Sequence, residues 1–439
     1  MILLQILPIL TILLFIGSIF WKGNSPKTCI LFILYFLPLM NLKITPERLG
    51  GFKIFDVICL YSVIFLFKDF QKIYVRQKNS IYFFLFAILA SILLLGSIAS
   101  ENPEKTLLNF LKFLPIFIFC RFFIIEHAKN NDFFFQGLKA LKSSYLFALG
   151  FIFIQVLFGL KFSIYPELSP NTFDETTNIV RYPGIFYDSQ ASGLYLSLGS
   201  FLFLIGRKFP ITKIQIGNLL VFFAAIVAIL FAGSRSAMGG YAVGILFALL
   251  FANGRLKFYV AIFSIFILSL FFILSIPLPK NLTRAENLSD DYLFRKSIWD
   301  KAYVIATEHP LLGIGTDNYQ SYVTKHSQDQ YLELDPGSIL YFDQPENGYL
   351  KILVEFGFIG FFIYIIFILI PLIQGILSYL KRVKDIGILF LIAAIISWLI
   401  AFNTVYSIVD NRILIMVASI LLLILCYPNK RTKQIDELA

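Results

Sequence analysis

The chain has 439 residues, 58% of them hydrophobic and only 15% charged, with 50 Phe and a formal net charge of +10. That balance excludes an ordinary soluble globular chain and points to a polytopic membrane protein. The basic excess is spread over many short loops rather than gathered in one tract, which argues against a nucleic-acid patch.

Taken in chain order, thirteen apolar runs are candidate membrane spans, set against ~30 Å of hydrocarbon. They cover about 2–20, 28–42, 54–68, 81–99, 107–125, 141–160, 191–206, 215–232, 237–252, 258–276, 350–374, 386–402 and 411–427. The first two are the weakest. The expectation is an all-α integral membrane protein with 12–13 transmembrane helices and one large outer (periplasmic) loop carrying short helices. Residues 2–20 lack a basic leader and a small-residue cleavage site, so an uncleaved span is expected there.

One alternate set of loops, with the C-terminal tail, carries 20 Lys/Arg against 8 on the opposite short loops. The positive-inside rule then puts the tail and the basic loops in the cytoplasm. The expected organisation is a membrane bundle over 1–276, an extracytoplasmic segment over 277–349, a second bundle part over 350–428 and a cytoplasmic tail at 429–439. The segment 277–349 holds eleven Asp/Glu and six Lys/Arg. Within it "LFRKSIWDKAYVIATEHPLLGIG" predicts a helix stopped by Pro310 and the glycines that follow. No repeat and no inverted pair of broken spans is legible.

Cys29, Cys59, Cys120 and Cys426 all lie in or at the end of apolar runs, so no disulfide framework is expected. His127, His309 and His326 have no metal spacing, and no metal or cofactor is expected.

Three arginines stand out at or near the outer surface of this topology: Arg181 in "RYPG", Arg235 in "FAGSRSAMGG" and Arg295 in "LFRKSIWDKAY". An arginine fork suits phosphate. Each can equally snorkel to lipid headgroups or pair with an acid. Arg235 has the stronger context, because a Gly/Ser turn before a helix lets backbone N–H groups and a cation converge on an anion. Glu346 in "DQPENGYLKILVEFGFIG" has two readings. Asp343-x-x-Glu346 fits a capping box with Pro345 in the first turn, yet a carboxylate at the rim can also take a proton from an attacking hydroxyl. Lys351 and Glu355 are expected to neutralise each other at i, i+4.

Four stretches in this order resemble the O-antigen ligase and O-antigen polymerase superfamily. "RYPGIFYDSQASGLYL" looks like its R-x-x-G-x-F segment, and "FAGSRSAMGG" is similar to its Ser-Arg turn. "IWDKAYVIATEHPLLGIGTDNY" resembles its W-x-x-A…P-L-x-G-x-G segment. "QPENGYLKILVEFGFIG" looks like its H/E-N-x-Y-L…E-x-G-x-x-G segment. The resemblance spans about 180–360 and implies a helical bundle of roughly twelve spans.

It further implies an enzyme that takes a glycan from an undecaprenyl diphosphate carrier at the outer face of the bacterial cytoplasmic membrane. The acceptor is a hydroxyl on another carrier-linked glycan, on lipid A–core or on a protein. By position, Arg235 and Arg295 become diphosphate contacts and Arg181 a weaker third, with Glu346 catalytic and Asn347 and Tyr349 substrate-binding. Neither a metal nor a cofactor is implied; a chain-length regulator or flippase is a conceivable partner. Ligases of the family carry His where this chain has Glu346, which favours the polymerase. A small-solute transporter is the rival from another class, but the notable charges lie at the rim rather than the midplane; a structural scaffold is the remaining alternative.

Overall fold

A computed structural model describes residues 2–46, 51–69, 80–165, 167–169, 172–174, 179–206, 216–252, 288–326, 332–333, 339–340, 344–381 and 385–427. Fourteen α-helices lie in these residues. They are α1 (Ile2–Lys22), α2 (Pro26–Tyr35), α3 (Ile54–Asp69), α4 (Ser80–Ala99), α5 (Pro103–Lys129), α6 (Phe133–Phe158), α7 (Ser189–Ser200), α8 (Ile216–Ala232), α9 (Arg235–Phe251), α10 (Leu288–Glu308), α11 (Tyr319–His326), α12 (Gly348–Lys381), α13 (Gly387–Phe402) and α14 (Asn411–Leu425). Among the described residues the strands are two antiparallel two-residue pairs, Phe173–Asp174 with Ile179–Val180 and Leu332–Glu333 with Ile339–Leu340, beside one isolated antiparallel bridge between Lys43 and Lys53.

Among the described residues, α5, α6 and α12 are long and apolar enough to cross a membrane, and eight shorter apolar helices accompany them. Large side chains such as Leu157, Leu246, Phe362 and Leu380 stand exposed on the bundle's outside. In water that surface would be costly at ~25 cal/mol per Å²; hydrocarbon solvates it at no such cost. The chain is a multi-pass membrane protein.

The apolar runs and the helices differ in several places, among them α5 and α6, which reach beyond their runs to Pro103, Lys129 and Phe133. The run at 28–42 gives only ten residues of α-helix, about 15 Å, before Pro38 turns the chain into the 3-10 turn Leu37–Leu39. The run at 191–206 becomes α7 followed by the 3-10 turn Phe201–Leu204, and nearly all of it is buried. The run at 350–374 lengthens at both ends into α12. The span expected at 258–276 and the tail at 429–439 lie outside the described residues. The helix predicted around "IWDKAYVIATE" is α10, which ends before Pro310.

At the centre lies α13, buried along most of its length. It packs closely against α9 because α9 presents small residues. A Cβ on Gly244 would lie 2.8 Å from the Ala393 carbonyl oxygen, and one on Gly240 would collide with the Ser397 carbonyl. Small residues are what bring membrane helices into backbone contact. These contacts make α9 antiparallel to α13, so the start of α9 lies at the same end as the finish of α13.

α12 is broken. Gly357 has φ 67° and ψ 178°, a conformation open essentially to glycine alone. The break leaves backbone groups without helical partners, and the Pro-Leu-Leu-Gly-Ile-Gly turn at 310–315 supplies them. Ile314 N–H donates to the Val354 carbonyl (3.0 Å), Gly315 N–H to the Glu355 carbonyl (3.2 Å), and Phe358 N–H to the Pro310 carbonyl (2.7 Å). Gly313, at φ +67°, sits against the Val354 and Glu355 backbone with no room for a side chain. The glycines of the third and fourth sequence stretches are thus two halves of one joint.

Gly357→Ala should therefore cost at least about 2 kcal/mol, from the forbidden backbone and the collision with the Leu311 carbonyl. Gly239→Ala, on α9 with open space around its Cβ, should be neutral or stabilising by up to ~1 kcal/mol. Thermal denaturation of both variants in detergent checks the contrast; equal melting points would remove the argument.

Candidate functional site

The site is built around the start of α12. Asn347 is its cap: the side-chain Oδ1 accepts Tyr349 N–H (3.0 Å) and Leu350 N–H (3.2 Å). Its Nδ2 donates to Asn403 Oδ1 (3.1 Å), at the finish of α13. The Tyr349 hydroxyl donates to the Leu399 carbonyl (2.8 Å). Both residues thus use polar atoms to lock α12 to α13. The capping-box reading needs correction. Pro345 and Glu346 precede the helix, and Glu346 has a left-handed backbone at φ 44°. Asn347 lies nearer the helix and takes the role; Asp343 lies outside the described residues.

Freed from capping, the Glu346 carboxylate meets Arg295: Nε and Oε2 are 3.3 Å apart, with the side chains 35% and 43% exposed. Arg295 stands in the first half of α10. So two of the three residues expected to carry the chemistry are in direct contact, and the contact is open to solution.

Arg235 is the first residue of α9 and is exposed. Ser234 caps the helix, its Oγ accepting Ala237 N–H at 3.4 Å, and Gly233 turns the chain at φ +65°. Because α9 runs antiparallel to α13, Arg235 lies at the end of the bundle where α13 finishes and α12 begins. Arg181 reaches the same end by another route. Its backbone N–H donates to the Thr172 carbonyl (2.8 Å), and Tyr182 N–H donates to the Phe231 carbonyl (3.0 Å), just before the Gly233 turn.

Two charged groups were missed as site-builders. Arg412, wholly buried at the start of α14, donates from Nε to Asp410 Oδ1 (2.9 Å) and from Nη1 to the Ile185 carbonyl (2.8 Å). Its guanidinium lies 3.9 Å from the centre of the Phe186 ring. It thereby pins the "YPGIF" turn that follows Arg181. A buried arginine survives only with such a complete set of partners. The signal was Asp410, a helix cap two residues before a lone arginine. The second group is Lys351 with Glu355. The expected i, i+4 pair forms at 3.6 Å, but it is buried and extended by Asp317, 3.5 Å from Lys351 Nζ.

α11 is tied down beside the site. His326 Nε2 lies 2.6 Å from Glu101 Oε1, and Lys325 Nζ 2.9 Å from Glu101 Oε2. The bond from His326, and then that from Lys325, holds the Glu101 carboxyl below its usual range. His309 Nε2 shares a hydrogen bond with the Tyr322 hydroxyl (2.9 Å), linking α11 back to the end of α10.

Residues 220–365 match a family model described as O-Antigen ligase. The matched segment contains Arg235, Arg295, Glu346 and the Gly313–Gly357 joint, and it bears out the resemblance over the last three of the four stretches. The stretch around Arg181 precedes it. The chain is also 25% identical over 313 residues to an uncharacterised protein of Haemophilus influenzae (strain ATCC 51907 / DSM 11121 / KW20 / Rd), an alignment covering 67% of this chain and 70% of the relative.

Proposed function

We propose that the chain is a membrane glycosyltransferase that moves a glycan from an undecaprenyl diphosphate carrier to an acceptor hydroxyl, most simply the polymerisation of carrier-linked repeat units. The observation that carries this is the Arg295–Glu346 contact at an open rim, with Arg235 at the same end of the bundle. A cation for a leaving diphosphate and a carboxylate for an incoming hydroxyl stand side by side. In this scheme the acceptor oxygen attacks the anomeric carbon, the bond from that carbon to the diphosphate oxygen breaks, and the hydroxyl proton passes to Glu346. The diphosphate departs with its new charge matched by Arg295 and Arg235, and the anomeric centre inverts. Arginines that grip the leaving group more tightly than the ester lower the barrier rather than only the KM. Arg181, between the strand Ile179–Val180 and the "YPGIF" turn at the same end, is a third and weaker candidate contact for the diphosphate.

A second reading, transfer to lipid A–core or to a protein, is favoured by the description of the matched family. Reconstitution separates the two. Purified protein in liposomes with lipid-linked repeat units lengthens carrier-linked chains if it is a polymerase. It consumes them only when a lipid A–core or protein acceptor is added if it is a ligase. No consumption under either condition sinks both.

The reading also places the site end of the bundle on the outer face of the cytoplasmic membrane. Ser327, the natural labelling position, lies outside the described residues, so the exposed Thr324 at the end of α11 serves instead. Thr324→Cys should react with a membrane-impermeant maleimide in intact spheroplasts. Labelling only after lysis would invert the topology.

A further inference from the structure

We propose that Asp317 is a glycan-binding residue of this site, its carboxylate accepting hydrogen bonds from sugar hydroxyls of the bound glycan. The inference rests on the glycosyltransferase reading and adds a contact for the sugar to one for the diphosphate.

Asp317 is one of two non-glycine residues with positive φ among the described residues, at 52°; the other is Glu346. Non-glycine residues in that region persist where the surroundings over-determine them, and they gather at functional sites. Here the surroundings do so. Lys351 Nζ lies 3.5 Å from Asp317 Oδ1 and 3.6 Å from Glu355 Oε1, and 4.7 Å from the centre of the Tyr406 ring. Tyr319 N–H donates to Glu355 Oε1 at 3.4 Å, fixing the turn from its other side. Lys351 and Glu355 are sealed, whereas the Asp317 side chain is 54% exposed. A buried ammonium therefore holds an open carboxylate from behind.

The charges decide what that carboxylate takes. The open Asp317 carboxylate shares its one cation, Lys351, with Glu355 and so keeps acceptor capacity to spare. It repels a diphosphate and suits a neutral, hydroxyl-rich partner, since an ionised carboxylate only accepts hydrogen bonds. Its position fits as well. Lys351 N–H donates to the Asn347 carbonyl, one helical turn, ~5.4 Å, from the start of α12 where Glu346 meets Arg295. Lys351, the residue that holds Asp317, thus lies one turn inside the same helix start as the Glu346–Arg295 contact. Two buried oxygens flanking it, Thr316 Oγ1 and Asn318 Oδ1, have no hydrogen-bond partner among the described residues. Such atoms are completed by solvent or a ligand.

The test uses the full-length protein in nanodiscs and two probes: undecaprenyl diphosphate without glycan, and the lipid-linked repeat unit extracted from the producing cells. Asp317→Asn removes the charge in a residue that tolerates the left-handed region, and Asp317→Gly keeps the backbone while removing the side chain. Both should bind undecaprenyl diphosphate as wild type does. Both should bind the glycan-bearing carrier about tenfold or more weakly, the value of a charged hydrogen bond. Asp317→Glu should restore part of the loss. An equal loss for both probes would make Asp317 a structural residue only, and no loss for either would remove the sugar contact; each overturns the proposal. If the wild-type protein binds neither probe, the glycosyltransferase reading fails first and takes the inference with it.

Discussion

Glu346→Gln should lower glycan transfer by roughly 10²–10⁴, the range for loss of a general base, while the protein still accumulates and binds its donor. The structural alternative is small in this structure. Glu346 does not cap α12; Asn347 does. What remains is an ion pair with Arg295, with both side chains more than a third exposed. Such pairs are worth about 0–1 kcal/mol, so a purely structural Glu346 predicts a small fall in stability and near-normal turnover. The amide keeps the size and one acceptor oxygen but takes no proton from the hydroxyl. Glu346→His, the residue the ligase pattern carries, should recover some transfer if a proton acceptor is the whole requirement. Chain formation by Glu346→Gln close to wild type, measured with purified lipid-linked repeat units, would end the assignment.

Arg235→Ala should be the other severe lesion, with a fall of about 10²–10³ if the guanidinium stabilises the departing diphosphate as a fixed charge. Its side chain is exposed at the first position of α9 and the helix is capped by Ser234 rather than by the arginine, so truncation should leave the helix start in place. Arg235→Lys should restore only part of the rate, because a point charge cannot grip two phosphate oxygens as a fork does. The assay must follow membrane accumulation beside turnover. Full activity in Arg235→Ala would remove the residue from the site, and loss of the protein itself would make its role structural.

Much of the fold was legible because it depends on two local signals, apolar run length and helix stops. Pro310 ended α10 as expected, and Ser234 and Asp410 are caps of the ordinary kind. The break at Gly357 was not read. Inside an apolar run a glycine looks like any small packing residue, and only the partner turn at 310–315, more than forty residues earlier, shows what it is for. Site geometry was legible in the same uneven way. Arg295 and Glu346 were singled out separately, each on its residue type, but their contact depends on how α10 packs against α12. Lys351 and Glu355 pair as their spacing predicts, but their burial is not legible, since a helical repeat says which side chains meet and not what covers them. Arg412 gives itself away only through Asp410 two residues earlier, because burial of an arginine has no signature of its own.

The joint between 310–315 and 354–358 also bears on how proteins built this way can exchange parts. A segment that supplies donors and an acceptor to a membrane helix cannot be replaced from a relative as an independent cassette. The incoming turn must match the recipient's break to within a hydrogen bond, or buried peptide groups are left without partners. Recombination that respects this constraint moves both glycine-bearing pieces together. The stretch between them, which holds Asp317 and Glu346, can then vary without touching the joint.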